Sequence, residues 1–367
     1  MDWVRSAEQQ ELAATVRRFL RKEAPPGDRR SGADVWAVMA GQLGLPGLAI
    51  GEDYGGAGYG PVELAVVMEE LGRGLYDGPY LSSVVLAAGA LQHSGDEDAR
   101  KRWLPGIASG ELTATLALAW NAGRWSPGDP DVRASRDADG YRLDGYRDFV
   151  LDGHTAGLIL VAATSAAGTS LFAVTGDAPG LQRRQLDALD ASRPLARVGF
   201  DGTPAVLVGP AGGARPGLTT ALQHASVAFA AEQLGGAQQC LDASVAYAKE
   251  RVQFGRPIGS FQAIKHLLAE LLLEVESVRS AVMYAAQAAA DDAGDLPAAA
   301  SLAHAYACDA FVRVATENIH IHGGMGFTWE HDAHRYFKRA QSSRVLLGSP
   351  DKHRELLAEA VGMGPGR

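Results

Sequence analysis

The sequence predicts an α+β fold in the order helical, β, helical, and three observations carry that expectation. Residues 1–110 set apolar side chains at helical spacing, residues 111–215 shift to short alternating runs cut by Gly, Pro and Asp, and residues 216–367 hold long proline-poor helices. The expected domains are an N-terminal helical domain (1–110), a middle antiparallel β domain of barrel-like kind (111–215), and a C-terminal long-helix bundle that also serves oligomerisation (216–367).

In the first region Ser6 and Gln9 stand at capping-box spacing, and Leu12, Val16, Phe19 and Leu20 follow at helical intervals. Trp36, Met39, Leu43 and Leu45 continue an apolar face to Pro46-Gly47. The glycine-dense loop GEDYGGAGYG (Gly51 to Gly60) follows no strand and has no P-loop lysine, so it reads as a connection shaping a cleft wall. Pro61 then occupies a first helical position, and Gly72 is placed to end that helix. In the second region Val132 to Ala134, a turn at Asp139-Gly140 and Tyr141 to Leu143 predict a hairpin. Leu158 to Ala163, Leu171 to Val174 and Ala205 to Val208 predict further strands. In the third, helices are expected over Leu218 to Val252, Gln262 to Ala290 and Ala298 to Ile321, with a break at Asp291 to Pro297. Leu267, Leu268, Leu271, Leu272 and Val275 give the second a broad apolar face, suited to a bundle and to a partner subunit.

Composition narrows the function classes. A formal net charge of −9 argues against a nucleic-acid groove, which needs a basic face. No apolar run reaches the roughly 18 residues of a membrane helix, and the charged segment MDWVRSAEQQELAATVRRF has no signal core. The two cysteines, Cys240 and Cys308, sit in helical apolar contexts as expected of buried free thiols in a reducing cytoplasm.

Chemistry concentrates in NIHIHGGMGFTWEHDAHRYFKRA (Asn318 to Ala340). A glycine pair directly after a helix leaves bare backbone N–H groups that a phosphate could approach. Four histidines lie here, but His320 and His322 alternate at a helix end and point apart, while His331 and His334 lie beyond a turn; no metal is expected.

That segment and RVQFGRPIGSFQAIKHLLAEL (Arg251 to Leu271) resemble the two C-terminal signatures of the acyl-CoA dehydrogenase family, in order and spacing, so the likeness covers essentially the whole chain. The resemblance implies that Arg251, Gln253 and Phe254 hold the diphosphate and adenine part of FAD in a neighbouring subunit. His320, Gly323 and Gly324 would reach the same half of the cofactor, with His320 where the family usually has glutamine. A guanidinium fork suits a dianionic diphosphate, and Phe254 gives it an apolar flank.

Departures from the family pattern shape the functional expectation. The family needs a carboxylate to remove the proton α to a thioester carbonyl while the β hydrogen leaves as hydride. Gly348 and Ser349 match the family's glycine and threonine, which puts Leu347 at the usual base position, and the alternative position on the preceding helix is Ala225. Neither accepts a proton. ALAWNAGRWSPGD, with Trp120, Asn121 and Trp125, replaces the family's flavin- and substrate-seating stretch, and Phe149-Val150-Leu151 replaces its tryptophan-isoleucine-threonine segment. FVLDGHTA (Phe149 to Ala156) and GFTWEHDAHRYFKRA look like heteromeric actinobacterial members that act on steroid side-chain thioesters as α2β2 assemblies. The expectation is therefore a base-lacking subunit that completes the FAD site of a homologous partner carrying the base. It would act on an acyl-CoA and pass electrons to an acceptor of the electron-transfer flavoprotein type. Two other readings stand beside it: a flavin-dependent monooxygenase on the same fold, and a non-catalytic binding or scaffold homologue. His224, Glu232 and Glu330 are the candidates for an unrecognised base.

Overall fold

The computed structural model describes residues 5–25, 32–121, 124–126, 131–138, 140–291 and 294–363, with only the backbone of 32, 33, 120, 121 and 124–126. It has the expected helical, β, helical order. The elements are α1 (Ala7–Glu23), α2 (Gly32–Leu43), α3 (Pro61–Arg73), a π-helical segment (Leu81–Ala88) running into α4 (Gly89–Gln92), and α5 (Glu97–Ala108). Strands β1 (Ala114–Ala117), β2 (Ala119–Asn121), β3 (Arg124–Ser126), β4 (Val132–Asp137), β5 (Gly140–Leu151), β6 (Leu158–Ser165), β7 (Gly168–Thr175), β8 (Leu181–Leu186) and β9 (Leu195–Val208) follow. Then come α6 (Ala214–Glu250), the hairpin strands β10 (Val252–Gln253) and β11 (Arg256–Pro257), α7 (Gln262–Ala290), α8 (Leu296–His322), α9 (Ala333–Ser343) and α10 (Pro350–Ala360).

By contacts the chain forms two compact units: residues 1–29, 61–76 and 226–367, and residues 30–60 and 77–225. In the β-containing unit the sheet runs β1-β6-β4-β5-β9-β7, and β7 pairs back onto β6, so five of these strands close into a ring. Closure removes the exposed edges that invite aggregation. Leu143, Val161, Phe172 and Val198 fill its interior and are each 0% exposed. The predicted hairpin is present, with Asp137 opposite Gly140 in the β4–β5 register; Asp139 of the expected turn lies outside the described residues. The glycine-dense loop spends its N–H groups internally, as Gly56 bonds Gly51, Ala57 bonds Gly47 and Gly58 bonds Ile50, which suits a connection and not an anion cradle.

The helical unit is built by close approach of small residues. The Ser6–Gln9 capping box starts α1 as expected, and Phe19 and Leu20 are buried along it. Gly72 does not end α3, which continues to Arg73. It is a crossing point: a Cβ there would stand 1.8 Å from the Glu232 carbonyl oxygen, and one at Gly235 would stand 1.8 Å from that of Glu69. The two glycines let α3 and α6 touch backbone to backbone. The third long helix starts earlier than the expected break allows, because Pro297 sits in the first turn of α8, where its missing N–H costs nothing. The first ends before Val252, which joins the β10–β11 hairpin, whereas α7 has the expected bounds.

Candidate functional site

Arg251 lies between α6 and the β10–β11 hairpin. Its N–H donates to the Tyr247 carbonyl at 2.8 Å and its carbonyl accepts from Ile258 N–H at 2.8 Å, which ties the hairpin base to the helix end. The side chain is exposed and makes no hydrogen bond among the described residues. Gln253 pairs with Arg256, and the turn between them, Phe254-Gly255, has φ of 53° and 76°. Two positive φ values in a two-residue hairpin loop make the type I′ geometry that matches strand twist. Glycine enters it freely, but phenylalanine is strained by about 1–2 kcal/mol. The strained ring is 91% exposed and gains little packing in return beyond an edge contact with Phe261.

The glycine-pair loop begins where α8 ends. Gly323, at φ 63°, is the left-handed residue after the helix, and its N–H is taken by the His320 and Ile319 carbonyls. That corrects the expectation of a bare N–H at Gly323: a helix C-terminus turns a glycine N–H back onto its own last carbonyls. What the pair supplies is clearance, since a Cβ at Gly323 or Gly324 would meet nothing within 4 Å. His320 is exposed, its Nδ1 3.2 Å from Glu317 Oε2. His322 is buried, and its ring stacks on Tyr247 at 4.3 Å and packs against His331 at 4.4 Å. Tyr247 lies one helical turn before Arg251, so this stack brings the arginine and glycine-pair segments together. Sequence spacing hides that link. Among the described residues no group of three or more His, Cys, Asp and Glu side chains is arranged to hold a metal.

An exposed guanidinium, an exposed aromatic ring and Cβ clearance at Gly255, Gly323 and Gly324 have the chemistry to fit a dianionic diphosphate beside a flat ring. Arg251, Phe254 and the glycine pair are the residues that would hold it.

Both positions expected to hold a base are buried. Ala225 is 0% exposed on α6. Leu347 is buried with φ 59°, and its carbonyl accepts from His353 Nε2 at 3.1 Å, while the next carbonyl, of Gly348, accepts from His304 Nε2 at 3.1 Å. Those two imidazoles are buried and stacked 3.9 Å apart. Burial holds His304 well below the usual histidine range, and the neighbouring His353 adds to the effect.

The remaining candidates are engaged or badly placed. Glu232 accepts from Arg339 at 2.7 Å in a buried ion pair. His224 packs on the ring of His93 with centroids 5.0 Å apart, and it points about 100° around α6 from Ala225. Glu330 stands exposed in the loop, held low by hydrogen bonds from its own backbone N–H and Thr328. In the β unit Phe149 (φ 59°, 41% exposed) is set outward by a register shift between Arg147 and Val150. Thr115 Oγ1 donates to the Leu151 carbonyl at 2.6 Å and Ser82 Oγ to Asp152 Oδ2 at 2.6 Å, which fixes the bulge. The side chains of Trp120, Asn121 and Trp125 lie outside the described residues. Burial pushes both thiols up, Cys308 to about 12, so neither offers a nucleophile.

Similarity to known proteins gives the family. Residues 6–111 match the family model described as acyl-CoA dehydrogenase, N-terminal domain, and residues 216–362 match acyl-CoA dehydrogenase, C-terminal domain. Acyl-CoA dehydrogenase IpdE2 of Mycobacterium tuberculosis is 35% identical over 366 residues, 98% of each chain. Among solved structures, a variant of the Tcur3481-Tcur3483 steroid ACAD is 33% identical with a TM-score of 0.86, covering 97% of this chain and 98% of that one. The ChsE4-ChsE5 complex from Mycobacterium tuberculosis is 29% identical with a TM-score of 0.88 and full coverage of both chains. The chain belongs to the acyl-CoA dehydrogenase family, flavoprotein oxidoreductases that act on CH–CH donors.

Proposed function

We propose that this chain is the base-lacking subunit of a heteromeric acyl-CoA dehydrogenase and that it completes an FAD site whose chemistry runs on a homologous partner subunit. The observation that carries the reading is a contrast in placement. The Arg251 side chain, the Phe254 ring and the open faces of Gly323 and Gly324 are exposed, whereas the two base positions hold buried Leu347 and Ala225. Similarity to a two-component complex and to a steroid ACAD supports it.

The cofactor, when bound, supplies the hydride acceptor for α,β-dehydrogenation. In this chain Arg251 would hold the diphosphate through paired N–H donors, Phe254 would shield it on an apolar face, and Gly323-Gly324 would let the backbone approach. Leu347 and Ala225 hold no proton at any pH, and Glu232 is committed to Arg339, so removal of the α-proton falls to the partner's carboxylate. The substrate class is an acyl-CoA thioester with a bulky, steroid-side-chain type of acyl group, and the acceptor is of the electron-transfer flavoprotein type.

Co-expression with a complete homologous chain tests the reading. Flavin content and turnover should require both chains, and Arg251→Ala should strip flavin from the complex without unfolding it, because the exposed guanidinium carries no internal bond. A homo-oligomer of this chain with full flavin occupancy and dehydrogenase turnover refutes it, as does unchanged flavin content in Arg251→Ala.

A further inference from the structure

The Tyr247–His322–His331 stack lies outside every cofactor contact assigned above, yet it adjoins the glycine pair directly, since His322 precedes Gly323. Its hydrogen bonds fix where each ring carries its proton. His322 Nδ1 lies 2.7 Å from the Asn318 carbonyl oxygen, which can only accept, so Nδ1 is protonated and Nε2 of the neutral ring is an acceptor. His331 is the reverse: its Nδ1 accepts from Ala333 N–H at 3.1 Å, so its proton is on Nε2. Neither Nε2 has a hydrogen-bond partner among the described residues. One free donor and one free acceptor thus share a ring stack beside the glycine pair.

An oxyanion has lone pairs and no proton, so it matches the His331 donor and is repelled by the His322 lone pair. Protonating His331 would sacrifice the bond from Ala333. Protonating His322 at Nε2 breaks nothing and gives the pair two donors.

We propose that His322 is a proton-linked binding residue for a diphosphate at the glycine pair, taking a proton onto Nε2 from solvent as the ligand binds, with His331 Nε2–H as the second donor. This rests on the reading that a diphosphate lies at Arg251 and Gly323-Gly324. Burial pushes His322 below the usual histidine range, and the adjoining His331 adds to that, which disfavours the extra proton until the anion is present. The surrounding titratable and charged groups are Tyr247 on α6 and Arg251 just after it, Glu317 with His320 on α8, exposed Glu330 on the loop, and Asp332, which forms a partly exposed ion pair with Arg335 at 3.3 Å. No hydrogen bond among the described residues brings a carboxylate onto either free Nε2.

Calorimetry of FAD binding to the flavin-stripped two-chain complex, in two buffers of different ionisation enthalpy at a pH of about 7.5, counts the protons taken up. The expected result is uptake approaching about one proton per site, with affinity falling as pH rises. His322→Phe, which preserves an aromatic ring in the stack, should abolish the uptake, and His331→Phe should weaken binding while leaving it. FAD binding with equal heats in both buffers overturns the proposal, and so does uptake that persists in His322→Phe. If FAD binds with no loss in Arg251→Ala, the site assignment itself falls, and the proposal with it. Nitrogen chemical shifts of the His322 imidazole, read with and without FAD, give the same answer independently of affinity.

Discussion

Replacing Glu232 by alanine separates a proton acceptor from a structural ion. Glu232 lies two helical turns beyond Ala225 and accepts from Arg339 Nη1 at 2.7 Å, with the Arg339 side chain 3% exposed and that of Glu232 8% exposed. Arg339 also donates to the Tyr76 carbonyl at 3.2 Å, so it remains in place when the carboxylate goes. Removing one partner of a buried pair costs about 3–5 kcal/mol, because a charge is left in the interior without its counter-ion. In a helical unit of this size each kcal/mol moves the midpoint by roughly 2–4 °C, so Glu232→Ala should lower it by about 10 °C. Glu232→Met combined with Arg339→Met should recover most of that, within about 1 kcal/mol, since two matched apolar side chains replace the pair. The assay is thermal unfolding of the flavin-loaded complex alongside turnover at a temperature where every variant is folded. Turnover falling at least about a hundredfold in Glu232→Ala, with a midpoint unchanged within about 2 °C, would make Glu232 the missing base and refute the structural account.

Two other perturbations have defined outcomes. Gly72→Ala should destabilise by at least about 1–3 kcal/mol, since its Cβ would stand 1.8 Å from the Glu232 carbonyl oxygen and the α3–α6 crossing must open; chemical denaturation at constant slope measures it. His304 is held well below the ordinary imidazole range by burial and by His353, so its folded value lies under the unfolded one of about 6.5. The unfolded chain then binds the extra proton, and the stability is fully present above pH about 6.5 and lost as pH falls toward the folded value. His304→Gln should accordingly flatten the decline in midpoint between about pH 7 and 5, and a slope equal to the wild type's contradicts the assignment.

What the sequence made legible was local. The Ser6–Gln9 box, the bounds of α7 and the β4–β5 hairpin follow from spacing and turn chemistry within a few residues, and each is present. Gly72 reads as a helix stop for the same reason, because a glycine after an apolar helix is a stop signal locally. Only the approach of Glu232, far along the chain, shows that the missing side chain makes room for another backbone. Closure of the sheet by β6–β7 and β5–β9 pairing, and the stacks His304–His353 and Tyr247–His322, likewise join distant segments. The candidate cofactor residues were legible because their motifs are contiguous; the histidine and tyrosine that tie those motifs together were not.

The placement of strain bears on what the site is for. Phe254 occupies a left-handed backbone conformation at a cost of about 1–2 kcal/mol, and with 91% of it exposed almost nothing within the chain offsets that cost. A ring held outward at an energetic loss makes sense where something outside the chain covers it, which is what a cofactor seated on another subunit would do. Leu347 is strained in the same way, at φ 59°, but it is buried and its loop is clamped by two imidazole N–H donors to consecutive carbonyls. Its strain is offset from within, so the loop keeps its shape without a carboxylate and without a ligand. One strained residue therefore looks outward for its compensation and the other does not, and that difference supports cofactor binding at the first segment and speaks against proton transfer at the second.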